Sequence, residues 1–253
     1  YLNLRKLNFN SKKFIVKKIL QDIEKNGDKS VIKYEKKFNK INKLNKKDLF
    51  FSNSEIKNSV RKLDPKVKLS INTAYNRILN FHKNQKFKGF KINDKFKNIF
   101  SYRASPLEKV GVYVPGGTAS YPSSVLMNCI PALVAGVKEI YLTVPSLNGK
   151  INSGVIYAAK KCNVKKIYKL GGAQAIAAMA NGTETIPKVD KIVGPGNEYV
   201  AIAKKEVFGE VGIDMFAGPS EVTVIADKYS RPDWVAADLI AQAEHDQMAQ
   251  SIL

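Results

Sequence analysis

Two residues near the end of the chain have the types and spacing for metal chemistry. Gln242 and His245 lie in "QAEHD", at positions i and i+3, which share one face of a helix. Imidazole nitrogen is a frequent metal donor, and a glutamine amide offers a carbonyl oxygen. Two donors do not hold zinc, because even catalytic sites use three protein ligands beside an open position. On spacing alone a capping or surface histidine at a helix end is the commoner arrangement, and both roles stay open. The other histidine, His82, stands among Lys and Asn in "NFHKNQ". It is expected at the end of a helix and outside any site.

A second kind of chemistry is offered by three glycine-rich turns: "VPGGTAS" at 114–120, "LGGAQA" at 170–175 and "VGPGN" at 193–197. Glycine lets backbone approach a ligand, and a helix N-terminus offers N–H groups to anions. Every α/β protein needs tight strand-to-helix turns, so one alone would carry little. Three along one parallel sheet point to a ligand crevice at its C-terminal edge. None has the full G-x-G-x-x-G spacing of the dinucleotide fingerprint. Ser220, in "FAGPSEV" at 216–222, is not in a G-x-S-x-G elbow, so its hydroxyl is expected to bond a ligand or cap a turn. Cys129 and Cys162 lie in apolar, helix-like stretches with no cationic or histidine partner to activate them, and are expected as buried thiols.

The elements that must position these residues follow from hydrophobic periodicity. Residues 8–86 read as amphipathic helices, with Phe14, Ile15, Ile19, Leu20 and Ile23 at helical spacing. Gly27 is the expected stop, Asp28 the expected cap of a helix over 29–38, and Pro65 a first-turn residue. Residues 86–114 alternate like strands. An α/β cadence then sets in, with strands at 110–114, 139–144, 165–170 and 189–193, helices at 125–137, 152–162 and 198–208, and a tight turn into a helix in "GGAQAIAAMANG". Such alternation implies a parallel sheet covered on both faces. "EVTVIAD" at 221–227 reads as one more buried strand, and Asp233 opens the helix that ends at 242–245.

Composition narrows the function classes. The chain of 253 residues carries 42 Lys+Arg against 22 Asp+Glu, a net charge of +20. The excess is confined to residues 1–110, with 29 basic and 9 acidic side chains; the remainder has 13 of each. Only five basic residues are Arg, whereas phosphate and base recognition favour the bidentate Arg fork. The charge therefore reads as a Lys-rich solvent face, and no nucleic-acid partner is expected. No apolar run is long enough to span a bilayer and no signal peptide opens the chain, so a cytoplasmic protein without a membrane partner is expected.

Four segments, "SPLEKVGVYVPGGTASYPSSVLMNCIPALVAGV", "GGAQAIAAMANGTETIPKVDKIVGPGNEYV", "DMFAGPSEVTVIAD" and "DLIAQAEHD", resemble the histidinol dehydrogenase family from about residue 105 to Leu253. The resemblance implies a homodimeric enzyme of histidine biosynthesis that oxidises L-histidinol through L-histidinal to L-histidine with two NAD and a zinc ion. It implies an α/β fold of two incomplete Rossmann-like domains with parallel sheets, the second inserted in the first, preceded by a helical N-terminal region. Residues 1–7 would form a tail, 8–112 with 221–253 the first domain, and 113–220 the insert. By motif, Tyr113, Gln174 and Asn197 are similar to the positions that contact NAD. Ser220, Gln242 and His245 would contact substrate, and Gln242 and His245 would ligate zinc. The family's Glu–His acid/base pair and remaining metal ligands have no match here. The chain is therefore expected to continue beyond Leu253 and to be inactive alone. The rival readings are a related dehydrogenase acting on another small polyol or amino alcohol, and a non-catalytic α/β binding module.

Overall fold

The computed structural model describes residues 2–39, 43–116, 121–146, 151–215, 221–244 and 249–253, with side chains from Ser11 onward. The chain forms two compact units, 1–215 and 216–253. The first begins with four helices: α1 (Leu2–Asn26), α2 (Asp28–Asn39), α3 (Asn53–Lys62) and α4 (Pro65–Lys83). Their ends follow from local chemistry. Gly27 separates α1 from α2 with φ +52. Ser52 and Glu55 close a reciprocal capping box on α3, and Asp64 caps α4 ahead of Pro65. Asp28 departs from expectation. Its carboxylate does not cap α2 but accepts hydrogen bonds from the hydroxyls of Thr183 and Thr185. A local cap has given way to a buried tether across the fold.

An antiparallel hairpin follows, β1 (Phe90–Asn93) with β2 (Ile99–Tyr102). Both of its faces are exposed. Five parallel strands then alternate with helices: β3 (Lys109–Tyr113), α5 (Pro122–Ala135), β4 (Glu139–Thr143), α6 (Ser153–Lys161), β5 (Lys166–Tyr168), α7 (Gly172–Asn181), β6 (Lys191–Val193), α8 (Glu198–Val207) and β7 (Gly212–Ile213). Their order is β5-β4-β3-β6-β7. The sheet starts at its centre, winds outward through β4 and β5, then returns to lay β6 on the other side of β3. The winding direction reverses between β3 and β6, the position at whose C-terminal strand ends open parallel sheets take ligands.

Strand alternation sends successive side chains to opposite faces. Val110, Val112, Ile140 and Leu142 pack with Ile71, Leu126, Ile130 and Ile156 from α4, α5 and α6. Tyr113, Tyr141 and Ile192 pack with Ile19, Ile23, Tyr34, Ile176 and Met179 from α1, α2 and α7. The Lys-rich helices thus cover the sheet through apolar stripes and turn their lysines outward. Cys129 and Cys162 are buried thiols, as their apolar neighbours imply.

The second unit holds β8 (Glu221–Thr223), α9 (Pro232–Ala243) and β9 (Gln250–Ile252), with β8 and β9 parallel. The strand expected at 221–227 is shorter and less covered than its apolar run suggests. Only 221–223 are extended and they are exposed or half-buried, and Ile225 is exposed. A single strand–helix–strand crossover covers one face of two strands at most, so the apolar run stays open. Among the described residues, no helix is long and apolar enough to cross a membrane.

Candidate functional site

At the edge between β3 and β6, Tyr113 is the last residue of β3. It is only 2 % exposed, with its ring in the core beneath α7. Its hydroxyl oxygen accepts the Gly172 N–H at 3.1 Å. Burial pushes the Tyr113 hydroxyl up to about 12, with a further push from the nearby Glu35 carboxylate.

Glu35 has no counterpart among the residues that sequence reasoning singled out. It projects from α2 and is 1 % exposed. Its Oε1 accepts the Gly171 N–H at 3.1 Å and the Gln174 side-chain Nε2 at 2.9 Å. Asn39 Nδ2 donates to its Oε2. Burial raises the carboxyl above the ordinary glutamate range, and the three donors act in the opposite sense. One signal could have found it: in "VIKYEKKF", Glu35 falls on the same helical stripe as Val31, Tyr34 and Phe38. An acid there needs partners.

Gln174 stands in the first turn of α7 and is 2 % exposed. With Glu35 and Tyr113 it accounts for the backbone of the 170–175 turn. The N–H groups of Gly171 and Gly172 are both committed inside the protein. Two of the N–H groups that this turn's sequence offers to an anion are therefore taken by the protein's own carboxylate and phenol. Gly171 also packs so closely on Pro145 that a Cβ would come within 2.7 Å of its ring, which draws the β4 and β5 strand ends together.

The 193–197 turn is held differently. Gly194 has φ +111, and a Cβ there would lie 2.0 Å from the Tyr113 carbonyl oxygen. Only glycine lets the end of β6 close against the end of β3. Asp214 Oδ2 accepts the Gly194 N–H at 2.7 Å. Lys204, 3 % exposed, donates to the Gly194 carbonyl at 3.1 Å and to Asp214. Both backbone groups of Gly194 are thus gripped by one ion pair, whose ammonium is buried and whose carboxylate is partly exposed. Asn197 is exposed and caps α8, its Oδ1 accepting the Val200 N–H at 3.1 Å.

Of the residues predicted for a cofactor, Tyr113 and Gln174 are joined through the 170–175 turn, and Asn197 follows the glycine that abuts Tyr113. The two predicted for metal or substrate at Ser220 and His245 lie outside the described residues. Gln242 is in the last turn of α9. Its Nε2 is buried and has no hydrogen-bond partner among the described residues. A buried amide atom without a protein partner is satisfied by water or a ligand. With the amide turned about, the same position presents the carbonyl oxygen that a cation would take. The donor therefore fits a metal, although the described residues hold no cluster of three or more His, Cys, Asp or Glu. His82 bonds Gln85 through Nδ1 at 2.6 Å in the last turn of α4, the helix-end role its neighbours suggest.

Comparison with known proteins gives one answer. The family model described as histidinol dehydrogenase matches residues 3–253. A histidinol dehydrogenase from Pelagibacter ubique is 57% identical over 237 residues, covering 93% of this chain and 54% of the relative. One from Neisseria meningitidis is 48% identical over 239 residues, covering 94% and 56%. The crystal structure of histidinol dehydrogenase from Elizabethkingia anophelis superposes with a TM-score of 0.84 at 43% identity, over 94% of this chain and 55% of that one. The chain spans about half the length of the curated relatives it matches.

Proposed function

The chain belongs to the histidinol dehydrogenase family, and from that premise we propose that it supplies the cofactor site and part of the metal site of a zinc-dependent enzyme. The reaction is the oxidation of L-histidinol through L-histidinal to L-histidine with two NAD. The observation that carries this reading is the reversal of strand order between β3 and β6. It brings Tyr113, Gln174 and Asn197 to one edge of a parallel sheet, the edge where such sheets take nucleotides. The same strand order supports a Rossmann-like domain. The parallel pair of β8 and β9 joined through α9 supports the start of a second one.

NAD lies along this edge, with Asn197 open to it and Tyr113 and Gln174 beneath. Ser220 bonds the substrate. Gln242 and His245 hold zinc together with further ligands, and the unsatisfied amide of Gln242 supports its role. Zinc, when bound, supplies a Lewis acid that orients the substrate's nitrogen and oxygen donors. Proton transfer falls to a Glu–His pair of the family that has no match in these residues, so the 253-residue chain binds NAD without turnover. The enzyme acts as a homodimer in the cytoplasm.

NAD titration into the chain, beside an assay of NAD reduction with L-histidinol, tests the reading. Micromolar to millimolar NAD binding without turnover is expected. No NAD binding by a folded chain overturns the cofactor site, and turnover by the chain alone overturns the assignment of proton transfer.

A further inference from the structure

We propose that Glu35 is a positioning residue for cofactor binding: from α2 it holds the 170–175 turn and fixes the Gln174 amide so that its carbonyl oxygen faces the ligand. The proposal rests on the reading of Gln174 as an NAD contact and adds the group that orients it. A glutamine amide can be flipped with little change in shape. Here the ambiguity is removed, because Nε2 is bound to Glu35 Oε1 at 2.9 Å. The same carboxylate oxygen takes the Gly171 N–H at 3.1 Å, and Tyr113 takes the Gly172 N–H at 3.1 Å. The N–H groups of Gly171 and Gly172 are therefore spent, and with Nε2 turned to Glu35 the carbonyl oxygen is the end of the Gln174 amide left without a protein partner among the described residues.

A consequence for recognition follows. The ligand group met by Gln174 is a hydrogen-bond donor, an amino, carboxamide or hydroxyl group. A phosphate placed against that oxygen would meet an acceptor, with the Glu35 carboxylate behind it. Asn39, which donates to the other oxygen of Glu35, completes a carboxylate that has donors on both sides.

The experiment is calorimetric titration of NAD into the 253-residue chain and its variants. Each is read beside circular dichroism and the ¹⁵N–¹H signals of the Gln174 side-chain amide. Gln174→Ala is expected to weaken NAD about tenfold, the loss of one buried hydrogen bond. Glu35→Ala is expected to weaken it to the same degree and to release the Gln174 amide signals. The double variant is expected to be no weaker than either, because both changes remove one interaction. Glu35→Gln is expected to recover to within about threefold, since its oxygen can still accept from Gly171 and Gln174 while Asn39 turns its own oxygen to the new amide. If Glu35→Ala does not fold, Glu35→Asp replaces it: the charge stays but retreats by one methylene, and a comparable loss is expected. Inorganic phosphate should not compete with NAD for the Gln174 contact. The proposal is overturned if Glu35→Ala, or Glu35→Asp in its place, leaves the amide signals unmoved, or binds NAD as the parent does while Gln174→Ala does not. If Glu35→Ala releases the amide but Gln174→Ala leaves NAD binding unchanged, the cofactor reading falls and the hold of Glu35 on the turn stands.

Discussion

The turns at 170–175 and 193–197 leave the same sheet edge into similar helices, yet they are held from different distances. The 193–197 turn is clamped by Lys204 and Asp214, residues 10 and 20 positions beyond Gly194. The 170–175 turn is clamped by Glu35, more than 130 positions away. The first leaves Asn197 at the surface. The second buries Gln174 and ties up the N–H groups of Gly171 and Gly172. Two loops with the same glycine-rich texture thus become an open rim and a sealed floor. Texture sets what a turn's backbone can do, and the partner that arrives from elsewhere sets what it does.

The comparison breaks most visibly if the local clamp is removed. Asp214→Ala leaves the buried Lys204 ammonium with the Gly194 carbonyl alone; because the Asp214 carboxylate is itself partly exposed, the cost should fall below that of a fully buried pair, at about 1–3 kcal/mol. With Lys204 so deeply buried, the urea midpoint should fall accordingly. A loss below about 1 kcal/mol would show that water reaches the ammonium and that the clamp is weak.

The distant clamp should show itself through pH. Burial raises the Glu35 carboxyl above its unfolded value, so between the two values the folded chain holds a proton that the unfolded chain has lost. Stability from this group is full below the ordinary glutamate pKa and is lost as pH rises through the raised folded value. The slope is at most about 1.4 kcal/mol per pH unit for one proton. Glu35→Gln should remove it, and denaturation midpoints against pH for the two chains check the difference. Parallel curves would show that the hydrogen bonds from Gln174, Gly171 and Asn39 outweigh burial.

The smallest effect belongs to the open rim. Asn197→Ala removes the α8 cap and should cost about 1 kcal/mol, while NAD affinity falls more than that loss of stability explains. Asn197→Asp keeps a cap acceptor but not the amide donor. It should restore stability without restoring affinity, a split visible by comparing melting with titration.

These contrasts also mark what the sequence can disclose. Ser52–Glu55, Asp64–Pro65 and Gly27 act within a few residues of themselves, and the helices begin and end where they indicate. The parallel sheet was legible because each strand–turn–helix unit repeats the same local grammar. Tyr113, Gln174 and Asn197 could be named from their motifs, although their burial could not. Asp28 was misread as a cap because its real partners, Thr183 and Thr185, are more than 150 positions away. Glu35 was missed for the same reason. The apolar run at 221–227 looked like a core strand because hydrophobicity records a need for cover and not what provides it.

The way the two sheet faces are assembled bears on how the protein is made. One face is covered by α3, α4, α5 and α6, which touch one another in near-sequential order. It can consolidate soon after β5 leaves the ribosome. The other face joins α1 and α2 to α7 and α8, so the first helices synthesised must wait for the last. During that wait the stripe of Val16, Ile19 and Ile23 is bare, on helices whose dense positive charge discourages mutual sticking. Non-local closure of this kind is slow. The lysines that serve no visible purpose in the finished fold would then matter most while the chain is still emerging.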